Sequence, residues 1–334
     1  MSITFDVFRG SPEGRILAAQ VTRTLEHNEV FIETTHSGVC GTDEHCLKLG
    51  CVLGHEGIGI IKAVGAGVQS VQVGDRVGFG FTHSICGTCE ECASGWDQYC
   101  AHAKRYGYHD HDNGSFGHGA VWDEKCVYQI PEGYDSVHAA PLMCAGASVW
   151  EIFMQYGVRA TDRVGVMGVG GLGHVAIKLA AALGCTVVVL SNTEAKRQEA
   201  LDYGASEFYV YKSGGAVPEG FQPVKHLLLC GSGQVDFPAL IPLMATRGSI
   251  YPLTATRTPA SVPLAALFLR GIKVQGSLVA SRNNLRSLLA FAAQKKITPT
   301  TMTFPMTPAG IEDAMQTLRE GKMRYRGVLV RDMQ

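Results

Sequence analysis

The sequence predicts two domains, one an α/β unit built on a doubly wound parallel sheet and the other mainly β. Three observations carry this. "RVGVMGVGGLGHVAIKLAAALGCTVVVLSN" (163–192) reads as strand, glycine turn, helix, strand. "VKHLLLCG" (224–231) and "GSIYPLT" (248–254) are continuous apolar runs, as expected of parallel strands covered on both faces. Residues 1–149 instead carry short alternating runs divided by turn residues.

In chain order, "EVFIETTHSGV" (29–39), "GIGIIKAVG" (57–65) and "DRVGFGF" (75–81) are the expected strands of the β domain. "ASVWEIFMQYG" (147–157) has helical spacing and marks the change of texture. The α/β domain is expected over 150–277. Beyond it come helices at "NLRSLLAFAAQKK" (284–296) and "PAGIEDAMQTLREGK" (308–322) and a last strand, "RGVLVRD". This tail, 278–334, is expected to return to the first domain.

A chain of 334 residues suits two domains. Its net charge of −1, with no charge block, argues against a dedicated nucleic-acid binder or a membrane-surface protein. No run of 18 apolar residues predicts a membrane span, and "MSITFDVFRGSPEGR" lacks the basic-then-apolar pattern of a secretion signal. A cytoplasmic location is therefore expected. There, eleven cysteines, an odd number, point to metal ligation before disulfides. Six are assigned to metal and five are spare.

"GVGGLG" (168–173) fits the dinucleotide fingerprint in the context it needs, after a strand and at the start of a helix. Gly168 makes the tight turn, Gly170 admits a pyrophosphate, and Gly173 lets helix and strand approach. The phosphates then sit on the free N–H groups of the helix N-terminus. The plain alternative is a glycine-rich turn between buried elements. The end of the following strand chooses the cofactor. An NAD site calls for an acid there, whereas this chain offers Ser191, Asn192 and Thr193, with Lys196 and Arg197 close behind. The reading is a Rossmann domain that takes NADP(H). Glu194 is the alternative candidate for that acid, but it lies past the strand end, where a first-turn acid is common for the helix dipole.

"CGTCEECASGWDQYC" spaces Cys86, Cys89, Cys92 and Cys100 as a closed four-thiolate site, hence a structural zinc. An iron–sulfur cluster or a metal-free group of thiols is the competing reading. "CGTDEHCLKLGCVLGHEG" (40–57) adds three cysteines and two histidines. A catalytic zinc needs three protein ligands and one open position. Cys40 and His55 are the natural first two, and Cys144 in "LMCAGASVW" can be the third. Cys46, Cys51, Cys126, Cys185 and Cys230 are read as small apolar residues. "HDHDNGSFGH" (109–118), with its Asn-Gly signal, is read as a surface or pocket-rim loop.

With "GVCGTDEH", "LGHEGIG", "VGDRVG", the four-cysteine lobe, "CAGAS", "GVGGLGH", "SNTEAKR" and "RYRGVLV" in this order, the chain resembles the zinc-dependent medium-chain dehydrogenases/reductases, most of all their cinnamyl alcohol dehydrogenase-like branch. The resemblance covers nearly the whole chain. It implies a GroES-like catalytic domain with two zinc ions and a Rossmann domain, with the substrate in the cleft between them. The implied activity is hydride transfer between NADP(H) and a zinc-bound alcohol or carbonyl. Further implied are Asp43 on the free ring nitrogen of His55, Glu56 able to approach the metal when the substrate site is empty, Thr42 on the substrate oxygen, and His45 at the outer end of a proton relay. Cofactor contacts are expected at Gly168, Gly170, Gly171, Leu172, Gly173, Ser191, Asn192, Thr193, Lys196, Arg197 and Ser277, with Arg326 at the phosphates. A homodimer through "IKVQGSLVA" (272–280) is also implied. One departure stands out: the segment between Asp43 and Gly54 is several residues shorter than usual in the family. It leaves open hydride delivery to a conjugated alkene or an iminium carbon. A non-catalytic NADPH-binding protein is the remaining alternative.

Overall fold

The computed structural model describes residues 1–254 and 258–331. The chain divides into two compact units, Met1–Ala147 with Val279–Gln334, and Ser148–Leu278.

The second unit is built on six parallel strands, in the spatial order Glu207–Val210, Thr186–Ser191, Arg163–Met167, Val224–Leu229, Met244–Pro252, Lys273–Val274. Numbered within the unit this is 3-2-1-4-5-6, the doubly wound order in which ligands bind where the winding reverses, outside the carboxyl end of strand 1. The apolar runs become strands because both faces are covered: Val187 to Leu190, Leu227 and Leu228 are fully buried. The helix Gly173–Ala182 follows strand 1 and packs back on it and on its neighbour Thr186–Ser191.

The first unit carries a seven-stranded sheet. Its path runs Thr301–Pro305, Arg326–Val330, Glu29–Val39, Gly57–Val64, Arg76–Phe79, Val127–Gln129, with Ala120–Asp123 paired to Glu29–Val39. The C-terminal strand lies antiparallel to Glu29–Val39, with Gly327 opposite Val39. That register brings Arg326 close to the end of the strand from which Cys40 departs. In the core of this sheet Phe79 packs against Trp122, ring centroids 4.7 Å apart and planes tilted by 54°. The core also takes in Cys92 and Cys100, so the four-cysteine lobe is seated on the sheet. An ion pair from Arg282 to the buried Asp97, 2.7 Å, ties that lobe to the helix Arg282–Lys295.

The segment 109–118 corrects the loop expectation in part. His109, His111 and Asp112 are exposed, but residues 113–117 are buried. The Asn113 side chain brackets the backbone of Val121, donating to its carbonyl and accepting from its N–H at 3.2 Å. Phe116 accepts from Phe8 and donates to Leu53 through its backbone, at 2.8 and 2.7 Å. A polar loop with this many internal partners serves as a core connection.

Candidate active site and metal centres

Cys40 ends the strand Glu29–Val39 and caps the short helix Gly41–Cys46. Its N–H donates to Asp43 Oδ2 at 2.8 Å, so the helix turn holds its backbone. His55 and Glu56 sit at the entrance to the strand Gly57–Val64, and Cys144 at the entrance to the helix Ala145–Gln155. The structure brings these four together: one ligand atom from each of Cys40, His55, Glu56 and Cys144 lies within 4.8 Å of every other.

Burial and hydrogen bonding prepare the group. Asp43, His55 and Glu56 are 0 % exposed. Asp43 Oδ1 accepts from His55 Nδ1 at 2.9 Å, which leaves Nε2 facing the sulfurs with no hydrogen-bond partner among the described residues. A buried ring nitrogen without a partner is costly unless something else occupies its lone pair, and a metal ion meets that need. Burial opposes a charged imidazole, but Asp43 outweighs it and raises the His55 pKa well above its ordinary value. The Cys40 thiol is held well below its ordinary value, first by its hydrogen bond with Cys144 and then by His55. The same hydrogen bond, with burial, raises the Cys144 thiol well above its ordinary value, so the pair favours one thiolate, at Cys40, beside a group that fits a divalent cation. Two sulfurs and an imidazole match the three-ligand zinc sets that keep a position open.

Glu56 forms a buried ion pair with Arg326, which is 4 % exposed. Burial pushes the Glu56 carboxyl up to about 7, against the pull of the guanidinium. Gly38 is the reason the carboxylate fits, since a Cβ there would lie 1.9 Å from Glu56 Oε2. Arg326, expected at cofactor phosphates, has its guanidinium committed to Glu56, and its Nε has no partner among the described residues. Thr42 Oγ1 lies 3.7 Å from Cys40 Sγ, and His45 is exposed on the same short helix.

The four sulfurs of Cys86, Cys89, Cys92 and Cys100 also lie within 4.8 Å of one another. Backbone N–H groups of Thr88 and Cys89 point at Cys86 Sγ, at 3.5 and 3.3 Å, and hold its pKa down to about 5. The loop thus stabilises a thiolate at Cys86, while burial pushes the Cys92 thiol up to about 12. Cys126 and Cys185 are buried, Cys230 is half-buried, and Cys46 and Cys51 are buried together in a separate cluster.

At the glycine turn, Gly168 adopts φ +95°, and a Cβ on Gly173 would lie 1.8 Å from the Gly168 carbonyl oxygen. Turn and helix are in direct contact, which only glycine permits at both positions. Among the described residues, Gly170 has open space where a Cβ would be, and Gly171 and Leu172 complete the turn. Ser191 is buried at its strand end and accepts from the Thr193 N–H at 3.4 Å, while Asn192 and Thr193 are exposed. Lys196 lies 3.8 Å from Glu199. Arg197 is tied to Glu194 and to the Phe208 carbonyl, the latter at 2.9 Å. Ser277 Oγ is buried without a partner among the described residues. Tyr106, stacked on His55, carries no spacing signal in the sequence, and only the fold places it at the site.

Residues 26–132 match the alcohol dehydrogenase GroES-like domain, and residues 171–294 match the zinc-binding dehydrogenase family. The chain is 33 % identical over 322 residues to the probable cinnamyl alcohol dehydrogenase 8B of Oryza sativa, covering 92 % of this chain and 73 % of that one. Among solved structures it is similar to a cinnamyl alcohol dehydrogenase from Sorghum bicolor, with 28 % identity, TM-score 0.89, and 100 % and 99 % of the two chains covered. It is likewise similar to CAD from Helicobacter pylori, solved in complex with NADP(H), with 26 % identity, TM-score 0.89 and 99 % of each chain covered. The chain belongs to the zinc-binding alcohol dehydrogenase family of medium-chain dehydrogenases/reductases, in its cinnamyl alcohol dehydrogenase-like branch. It is an oxidoreductase of small molecules, with a GroES-like domain and a Rossmann-like parallel sheet.

Proposed function

We propose that this chain is an NADP(H)-dependent zinc alcohol dehydrogenase or aldehyde reductase. The convergence of Cys40, His55 and Cys144 around the unpartnered Nε2 of His55 carries the reading. These three would hold the catalytic zinc and Cys86, Cys89, Cys92 and Cys100 a structural one. Zinc at the first site supplies Lewis acidity to an alcohol or carbonyl oxygen.

The chain's own residues do the rest. Asp43 fixes the His55 ring so that Nε2 faces the sulfurs. Glu56 is a buried carboxylate held beside the ligands by Arg326, within reach of the metal position when substrate is absent. Thr42 takes or returns the proton of the substrate hydroxyl, and His45, exposed on the next turn, is its outlet to water. The turn at Gly168 to Gly173 receives the pyrophosphate. Ser191, Thr193 and Lys196 suit a ribose 2′-phosphate, and the carboxylate that would repel it, Glu194, is neutralised by Arg197. The H. pylori neighbour with NADP(H) supports the same choice. Eleven free cysteines, two groups of them built for metal, suit a reducing, cytoplasmic setting.

A homodimer fits one edge of the parallel sheet. Lys273–Val274 is the edge strand, and the neighbouring helix Leu264–Arg270 exposes Leu264, Phe268 and Leu269 at 72, 73 and 75 %. Such a patch on an edge calls for a partner.

Purified protein is assayed for metal content, then offered saturated aldehydes, enals and cyclic imines with deuterium-labelled NADPH. About two zinc per chain, with deuterium on a carbinol carbon, supports the proposal. Deuterium at the β-carbon of an enal, or next to nitrogen, assigns the alkene or iminium reaction instead. Turnover with none of the substrates and one metal per chain or none leaves a cofactor-binding protein.

A further inference from the structure

We propose that Tyr106 is a positioning residue for the Cys40–His55–Cys144 centre, linking it to the four-cysteine lobe. The inference rests on the metal reading above.

Tyr106 is buried, and its ring stacks on His55 with centroids 4.8 Å apart and planes 25° from parallel. Its hydroxyl donates to Asp43 Oδ1 at 2.9 Å, the same oxygen that accepts from His55 Nδ1. It also accepts from the Gly54 N–H at 3.0 Å, in the peptide one residue before His55. One side chain therefore controls three aspects of His55: the tilt of its ring, the carboxylate that orients it, and the backbone that delivers it. Phe81 closes the other side with an edge contact at 6.3 Å, and the Tyr106 N–H donates to the Phe81 carbonyl at 2.9 Å.

The anchor of Tyr106 lies in the lobe. Arg105 donates to the carbonyls of Gln98 and Cys100, at 2.9 and 3.2 Å, and belongs to the strand Lys104–Arg105 that pairs with Thr82–Ser84. On the other side, Gly107 takes φ +74°, and a Cβ there would meet Cys46 Sγ at 2.6 Å. The tyrosine is thus clamped between the lobe and the segment that follows Asp43. Its hydroxyl is the only polar atom of the ring, so removing it leaves the packing in place. That step deprives Asp43 of one donor and Gly54 of its acceptor.

Loss of an outer hydrogen-bond partner typically costs about 10–100-fold in metal affinity. The test compares wild type and Tyr106→Phe as holoenzymes. The readouts are metal content, release of metal to a chelator, the absorption spectrum after Co(II) replaces zinc, and unfolding of the loaded and metal-free proteins. The expected result is loss of one of the two metals at least about 10-fold faster than in wild type. The Co(II) bands should shift, and the melting temperature should fall more in the loaded protein than in the metal-free one. Equal release of both metals, or an equal fall in both melting temperatures, makes Tyr106 a packing residue and overturns the inference. So does an unchanged release rate with an unchanged Co(II) spectrum. A wild-type chain that holds one metal overturns the metal reading first, and this inference with it.

Discussion

His83 shows how strongly burial acts on a single residue. It lies on the strand Thr82–Ser84 against Trp122, ring centroids 4.2 Å apart, and neither ring nitrogen has a partner among the described residues. Burial pushes its pKa down to about 3 from an ordinary 6.5. Below pH 6.5 the unfolded chain therefore takes up a proton that the folded chain refuses. Stability contributed by neutral His83 is complete above that pH and is lost as pH falls toward 3, with a slope of at most about 1.4 kcal/mol per pH unit. His83→Leu should flatten the pH dependence of denaturant unfolding in this window. A slope identical to that of wild type would show that the imidazole titrates normally in the folded protein.

At the scale of elements, the glycine turn separates two demands that the motif lumps together. Gly173 answers to packing: its missing Cβ would collide with the Gly168 carbonyl at 1.8 Å. Gly170 meets nothing within 4 Å among the described residues, so its lack of a side chain serves whatever approaches the turn. Gly173→Ala should therefore lower thermal stability and cofactor affinity together. Gly170→Ala should melt as wild type while NADPH binding, followed by fluorescence titration, weakens about tenfold or more, a loss of about 1.4 kcal/mol. A Gly170→Ala protein with wild-type affinity would remove the phosphate role from this turn.

For the whole molecule, assembly is the open consequence. Sedimentation at micromolar concentration should give a dimer, and Phe268→Glu, which places a charge on the exposed face of the helix Leu264–Arg270, should give a monomer without loss of folded structure. A monomeric wild type would dismiss the dimer. Among the described residues no single helix is long and apolar enough to cross a membrane, and the apolar helix Ala145–Gln155 is mostly buried in the core.

Much of the architecture was legible in the sequence. The run 29–39 is the strand Glu29–Val39, the runs at 224–231 and 248–254 overlap the strands Val224–Leu229 and Met244–Pro252 and overshoot each by two residues, and "GVGGLG" opens the helix Gly173–Ala182. Periodicity and spacing record what neighbours along the chain do, and the Cys-x2-Cys-x2-Cys lobe is local in the same sense. Tertiary structure alone decided the long-range partners. Tyr106 meets Asp43 across 63 positions, and Arg326 meets Glu56 across 270. The buried half of the segment 109–118 and the tethering of Arg197 to Phe208 are of the same kind. No local pattern specifies such pairs, because they exist only once the C-terminal strand has paired with Glu29–Val39 and the four-cysteine lobe has settled on the sheet. Burial then removes water, so most polar groups find their partners within the fold.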